Sequence, residues 1–350
     1  MSASARPLPI LGADFLRAHV RFTDLIEPVA SAFKETSLGL AENGLIVTFP
    51  AESRDAGDVY VKTGILRGHS VFVVKVSPWF ARNVETGQSQ GGFLAVFDSS
   101  NGRTLAILDE QHFLSDIRTA AAGAVAARIL CPHEIHRAAV LGSGVQAYWQ
   151  VLALHHERPF EQLTIWARDP KKARCLGERL QALLDRVSIT VGTDLQETVR
   201  EADVILTTTL ARDPLVRGEW LRPGQHITAI GADDATKCEL HASVLHRARV
   251  FVDDIGTAVR NGDVYHAIQA GGYCAEMLAG SIGEVLSGRK VGRTTPEEIT
   301  LAKFVGIGAQ DLVAAEVALA MLSLSSTDEK RSIEADSCNP YFSSSIRLPQ

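Results

Sequence analysis

The sequence predicts an α/β protein with two sheets, one of them a doubly wound parallel sheet, and three observations carry that prediction. From Ala138 onward, apolar runs alternate with helical patterns, placing strands near 138–142, 163–167, 188–191, 203–208, 226–230 and 249–252. Parallel strands need crossover connections, so this alternation argues a parallel sheet wrapped by helices. Upstream, strand-like runs at 44–49, 59–64, 70–76, 92–98 and 103–109 are separated only by Gly, Pro, Asn and Asp turns, which argues a mostly antiparallel sheet. The third observation is the segment AAVLGSGVQAYWQ, residues 138–150, where an apolar strand passes through a glycine turn directly into a helix.

The remaining elements follow in order. Residues 1–40 contain a helix over about 22–38, and a last apolar helical stretch covers 309–324. Residues 325–350, with TDEKRS and CNPYFSSS, lack apolar periodicity and are expected to form a loosely ordered tail. No internal repeat is present, and 350 residues suffice for two domains.

Composition narrows the function classes. With 46% apolar and 22% charged residues the balance is that of an ordinary globular protein. A formal net charge of −6 gives no electrostatic case for nucleic acid or an anionic membrane. No apolar run approaches the ~18 residues of a membrane span, and the N-terminus lacks a basic and apolar signal pattern, so the expected location is the cytoplasm. The five cysteines are scattered, without a C-x-x-C pair. No histidine cluster has zinc spacing, so no metal is expected.

The glycine turn is the first candidate site. Gly142 would make the turn, Gly144 would let backbone approach a pyrophosphate, and Ala147 would allow close helix–strand packing. The anion would rest on the free N–H groups around Val145 and Gln146, where the helix dipole favours it. The plainer alternative is a structural glycine turn. Immediately upstream, 113–128 read as an alanine-rich helix with Ser115 as N-cap, placing Arg118 and Thr119 in its first turn. A cation there opposes the helix dipole unless an anion joins it; the alternative is a surface arginine paired with Asp116 or Glu110.

The R-T-A-A segment at Arg118, followed by V-L-G-S-G-V-Q-A, resembles the ornithine cyclodeaminase/mu-crystallin family. The same resemblance continues through GADDATKCEL at 231–240, RVFVDD at 249–254 and FVGIGAQD at 304–311, and covers the chain from about Pro9 to Leu324. It implies a Rossmann dinucleotide-binding domain, residues 122–302, inserted into a discontinuous α+β substrate and dimerisation domain, residues 1–121 plus 303–350. It further implies a homodimer, an active site in the cleft, and hydride transfer between a nicotinamide and the Cα of a small α-amino or α-imino acid.

Residue by residue, the resemblance assigns Arg118 and Lys75 to the substrate carboxylate, and Asp233 to the substrate amine. Lys75 protrudes from the otherwise apolar alternating run 71–76, so it lies either at an edge or toward a ligand. Asp233 lies just past the carboxyl end of a parallel strand, where ligands are contacted. A carboxylate there can stabilise an iminium and exchange a proton with it. Its neighbour Asp234 could fill the same role or merely cap a turn. Thr207 and Thr208 would line the cofactor path, and Val305 and Gly306 would approach the nicotinamide ring. After the strand 163–166, Ala167 stands where an NAD-binding aspartate is expected and Arg168 follows, with Lys171 and Lys172 close behind. This favours the 2′-phosphate of NADP(H) over NAD(H), unless Arg168 merely begins a solvated turn beside Asp169.

Two departures bear on the reaction. Cyclodeaminases carry a glutamate where this chain has Lys62, and an ammonium cannot act as that base at neutral pH unless strongly perturbed. The family's extra carboxylate-binding arginine has no clear match, although Arg54 lies in the adjacent loop. A third cation at Lys62 suits a substrate with a second anionic group, such as an imino-dicarboxylate, unless Lys62 lies exposed on an edge strand. The segments DVYVKTG at 58–64 and VKVSP at 74–78 are also similar to the branch linked to ectoine utilisation and iminosuccinate reduction. The expectation is therefore an NAD(P)H-dependent imino-acid reductase. The alternatives are an ornithine cyclodeaminase releasing ammonia and a cofactor-retaining ligand-binding protein of mu-crystallin type.

Overall fold

The computed structural model describes residues 7–50, 53, 56–87 and 90–337. A six-stranded sheet is formed by β1 (Ile10–Gly12), β2 (Ala41–Thr48), β3 (Gly57–Leu66), β4 (Val71–Phe80), β5 (Phe93–Asp98) and β6 (Thr104–Asp109), in the order β1-β6-β5-β4-β3-β2. All its pairings are antiparallel except that of β1 with β6. An eight-stranded sheet, parallel throughout, contains β7 (Arg137–Leu141), β8 (Gln162–Trp166), β9 (Ser188–Val191), β10 (Val204–Thr207), β11 (His226–Ala229), β12 (Arg249–Val252), β13 (Gly280–Ser281) and β14 (Thr300–Lys303). Its order is β13-β12-β14-β11-β10-β7-β8-β9.

The helices in chain order are α1 (Ala13–His19), α2 (Ile26–Ser37), α3 (Ala81–Thr86), α4 (Phe113–Leu130), α5 (Val145–Glu157) and α6 (Pro170–Gln181). They continue with α7 (Leu195–Glu201), α8 (Ala242–Arg247), α9 (Ile255–Ala258), α10 (Gly262–Gln269), α11 (Ile282–Leu286) and α12 (Gly308–Ser337). Among the described residues, no helix is long and apolar enough to cross a membrane.

Alternate residues of the parallel strands enter different cores. Ala139 and Leu141 join one cluster with Ile205, Ile227 and Val250, whereas Ala138 and Val140 join another with Leu163 and Leu206. Both faces are covered, as a doubly wound sheet requires. A third core lies under the inner face of the antiparallel sheet, where Val73, Leu94, Val96 and Leu108 pack with α2, α4 and the first turns of α12. It reaches Ala302 and Phe304 at the end of β14, and so joins the two sheets.

The sheet order also sets the place of a site. Connections from β7 run outward through β8 and β9 in one direction, and through β10 and β11 in the other. The glycine turn after β7 sits at that reversal, where open α/β sheets bind ligands.

Several expectations need correction. The helix of 113–128 begins at Phe113, and Ser115 is its third residue rather than its N-cap. The N-cap is His112, with φ +66° and no capping side chain. Glu110 takes over the capping, accepting from the Ser115 amide (2.7 Å) and hydroxyl (2.8 Å). The chain beyond Leu324 is not wholly a loose tail, because α12 continues to Ser337. Charged helix formers, with no Pro or Gly between positions 309 and 337, allow a helix to persist there without an apolar stripe; residues 338–350 lie outside the described residues. β14, which no sequence pattern announced, is only four residues ending in a lysine, and it wedges between β11 and β12.

Candidate active site

The inner face of β3 and β4 changes character along its length. Leu66, Val71 and Val73 form an apolar end. Lys62 and Lys75 then stand opposite each other in register, followed by Tyr60, Ser77 and Asp58. The strand parity that buries the apolar end also turns these polar groups inward.

Three cations converge there. Lys75, 2% exposed, donates to Asp311 Oδ1 (2.8 Å) and to Ser115 Oγ (3.0 Å). Arg118, 6% exposed and in the second turn of α4, donates through Nε to the same Asp311 oxygen (2.9 Å). It is therefore not the surface arginine paired with Asp116 or Glu110 that the sequence allowed. Lys62, 5% exposed, donates to the carbonyls of Gly306 (2.8 Å) and Val305 (3.3 Å), which excludes an exposed edge position. Burial, with Lys75 and Arg118 nearby, pushes the Lys62 ammonium down to about 7. Asp311 is held far below the usual carboxylate range by Arg118 and Lys75, which outweigh its burial. Among the described residues its Oδ2 has no hydrogen-bond partner.

A cluster of opposite sign lies beyond Lys62. Lys237 pairs with Asp233 (2.7 Å) and Asp234 (3.3 Å), with Asp58 at 4.0 Å. The Tyr60 hydroxyl donates to Asp234 (2.6 Å), lies 3.3 Å from Asp233 and accepts from Lys237 (3.2 Å). Asp234 caps a turn through Thr236 and is held down at about 2, chiefly by Lys237 against its burial. Burial raises Asp58 to about 6. The side chain of Asp233 keeps 34% of its exposure, so Asp233 faces the cleft while Asp234 is used structurally.

The dinucleotide cradle is built as its glycines require. Gly142 has φ +130°, and a Cβ there would lie 2.5 Å from Thr208 Oγ1. Gly144 is the N-cap of α5 and has no capping side chain, and a Cβ on it would meet nothing within 4 Å. The first amides of α5 thus face open space, which fits a pyrophosphate. Gln146 reaches back to Asp116 Oδ1 (3.0 Å) and Gln150 to the Thr119 carbonyl (2.8 Å), bringing the starts of α5 and α4 together. Val145 is exposed.

Not every expected cofactor residue faces that space. Thr207 is fully buried and donates to Glu239 (2.7 Å), so its side chain does not line a cofactor path. Glu239 also accepts from the Gly231 and Thr209 amides, holding the ends of β10 and β11 together. Thr208 donates to the Leu141 carbonyl (3.2 Å) beside the turn. The Thr119 hydroxyl donates to the Ser115 carbonyl (2.7 Å). Arg168 is exposed after β8, and Asp169 caps α6 through the Lys171 amide (2.9 Å) rather than pairing with it. Arg54 lies outside the described residues. Val305 and Gly306 follow β14, and their amides donate to buried Asp253 (2.9 and 2.6 Å). Gly306 has φ +84°, and a Cβ there would stand 3.1 Å from both Arg118 Nη1 and Lys62 Nζ.

Sequence reasoning passed over Tyr60, Asp58, Lys237, Asp311 and Asp253, and weighed Glu110 only as a surface partner of Arg118. Asp58 and Tyr60 share the strand parity of Lys62, which was the available signal. Lys237, Asp253 and Asp311 stood within the quoted motifs with no role given to them. Among the described residues no group of His, Cys, Asp and Glu is arranged to hold a metal.

Sheet order and glycine turn together define a Rossmann-type α/β protein, with a cluster of buried cations where its two sheets meet. The family model for the ornithine cyclodeaminase/mu-crystallin family matches residues 11–322, and the chain belongs to that family. An uncharacterized cyclodeaminase of Sinorhizobium fredii is 40% identical over 264 residues, 75% of this chain and 80% of its own length. The Δ1-pyrroline-2-carboxylate reductase of Thermococcus litoralis, solved with NADH and L-proline, superposes with a TM-score of 0.84 at 26% identity. That match covers 90% of this chain and 97% of the reductase. The iminosuccinate reductase of Paracoccus denitrificans, solved with NAD+, gives 0.82 at 25% identity, covering 92% and 98%.

Proposed function

We propose that the protein is an NAD(P)H-dependent oxidoreductase that reduces the C=N bond of a small α-imino acid. The observation that carries this reading is the pairing of opposite clusters: Lys75, Arg118 and Lys62 on one side of the cleft, Asp233 on the other. A substrate with a carboxylate and a cationic nitrogen spans such a cleft in one orientation. Arg118 and Lys75 hold the α-carboxylate, pre-aligned by Asp311. Asp233, paired with Lys237, faces the nitrogen as a carboxylate and stabilises the iminium that hydride attack requires. When bound at the Gly142–Gln146 cradle, the nicotinamide cofactor supplies the hydride. Partly buried charges in a low-dielectric cleft act more strongly than in water.

Lys62 stands where cyclodeaminases have a glutamate, and although burial lowers its ammonium to about 7, an arriving anion would hold it charged, which favours an imino-dicarboxylate. The similarity to an iminosuccinate reductase supports the same substrate class. Arg168, exposed at the end of β8, supports NADP(H), although the two solved relatives carry NADH and NAD+. A homodimer is supported by the outer face of the antiparallel sheet. Ile46, Val61, Phe72, Val74, Phe93 and Leu105 there are exposed or half-buried on one face, and clustered exposed apolar side chains mark interaction surfaces.

One observation favours a second reading. The three carboxylates around Lys237 exceed its charge, as a substrate with an additional ammonium would require, and ornithine has one. A single screen separates the two. NADPH and NADH oxidation is followed with oxaloacetate, pyruvate, glyoxylate or a cyclic imino acid, with ammonia supplied for the oxo acids; ammonia release from ornithine is assayed separately. Cofactor oxidation with oxaloacetate plus ammonia, reduced at least 100-fold by Asp233→Asn with cofactor binding kept, is the expected result. Ammonia from ornithine without net cofactor oxidation would replace it with cyclodeamination.

A further inference from the structure

The loop Val305–Gly306 is gripped from two sides. Its two amides donate to Asp253, and its two carbonyls accept from Lys62. Lys62 comes from β3 of the antiparallel sheet, whereas Asp253 follows β12 of the parallel one. The loop is therefore one point at which the two sheets meet through polar contacts, the Tyr60–Asp234 hydrogen bond being another. Gly306 closes the arrangement: its left-handed backbone and missing Cβ leave the Lys62 ammonium and the Arg118 guanidinium side by side.

An ammonium has three N–H donors. The two loop carbonyls use two of those on Lys62 and leave one. The charged groups facing it are Lys75 from β4, Arg118 from α4, Asp311 from α12 and Asp233 after β11, with the Tyr60 ring 5.8 Å away. Neither carboxylate is a hydrogen-bond partner of Lys62, and the two nearest cations repel it. An anion arriving at this point would both satisfy the remaining donor and restore the charge that burial disfavours.

We propose that Lys62 is a positioning residue that couples a second substrate carboxylate to the cofactor, by holding the Val305–Gly306 loop in place when that carboxylate is bound. The inference rests on the reading of Val305–Gly306 as the loop beside the nicotinamide. It adds that recognition of a dicarboxylate and retention of the cofactor are one event. By linkage, each ligand then tightens the other by the same factor.

The test needs no turnover. NADH and NADPH fluorescence titrations of the full chain would be run in the presence of saturating succinate or saturating propionate, neither of which carries a reducible C=N bond. Succinate is expected to lower the Kd of the tighter-binding cofactor roughly tenfold more than propionate does, within the usual range of such couplings. In Lys62→Met the advantage of succinate should vanish while the effect of propionate, held by Arg118 and Lys75, persists; Lys62→Arg should retain part of it. Equal tightening by both acids in the unmodified protein would overturn the coupling without any variant. So would a Met variant that keeps the advantage of succinate. Absence of any cofactor binding would instead overturn the dinucleotide reading, and this inference with it.

Discussion

At the scale of single residues, the cleft is organised by buried charge. Lys75, Arg118 and Asp311 form a group in which one carboxylate oxygen serves two cations, and removing Asp311 would leave both uncompensated. Among the described residues Lys62 has no such counter-ion within ion-pair distance. Its ammonium is lowered from 10.5 to about 7, so between those values the unfolded chain binds one more proton than the folded one. Stability then rises with pH across that window and is lost as pH falls through about 7. Comparing denaturant unfolding of the native protein and Lys62→Met at pH 6.5 and 8.5 should show the native protein gaining roughly 2 kcal/mol on the variant. Parallel pH profiles would show that Lys62 is not the ammonium whose burial matters. Lys62, Lys75 and Arg118 were legible as side chains out of keeping with their neighbours. Asp311 and Glu110 were not, because a carboxylate close to an α-helix in sequence looks the same whether it faces solvent or a buried lysine.

At the scale of elements, the turn between β7 and α5 separates two glycine roles that the sequence presents alike. Gly142 is required by its own backbone, whereas Gly144 has an ordinary extended conformation and open space where a Cβ would go. Gly144→Ala should therefore leave the melting temperature within about 1 °C while weakening NADPH and NADH binding at least tenfold, read by fluorescence titration. Gly142→Ala should instead destabilise the fold by about 1–3 kcal/mol. A Gly144→Ala protein that binds cofactor normally would place the pyrophosphate elsewhere. The central strands β7 and β10 were legible because both faces are buried and their apolar runs are nearly unbroken, whereas β14, buried as fully, was hidden by its brevity and its terminal lysine. The start of α4 was misplaced because its cap comes from Glu110, outside the helix, and capping rules look for a short polar side chain at the helix boundary.

At the scale of the whole molecule, the two sheets are joined by regular elements rather than by linkers. The junction expected between residues 121 and 122 falls inside α4, and that between 302 and 303 inside β14. The shared core of α2, α4, α12 and the end of β14 ties the antiparallel sheet to the parallel one. Among the described residues, the outer face of the antiparallel sheet is left without such cover. Light scattering at micromolar concentration should report twice the 37.8 kDa chain mass, and Val74→Glu on that face should yield a monomer with unchanged circular dichroism. A monomeric native protein would remove the case for a dimer through this sheet.

Periodicity and glycine placement in the sequence determined the two sheets and the glycine turn, and the short motifs that follow one another along the chain carried the resemblance to the family. Those features depend on neighbours a few residues away, which a chain displays directly. Tertiary structure alone decided which charges meet. Lys62 and the Gly306 carbonyl are 244 positions apart, Arg118 and Asp311 193, and Tyr60 and Asp234 174. No local pattern encodes such pairings, because they arise only when the polar end of one sheet is pressed against the strand ends of the other and each buried charge must find a partner.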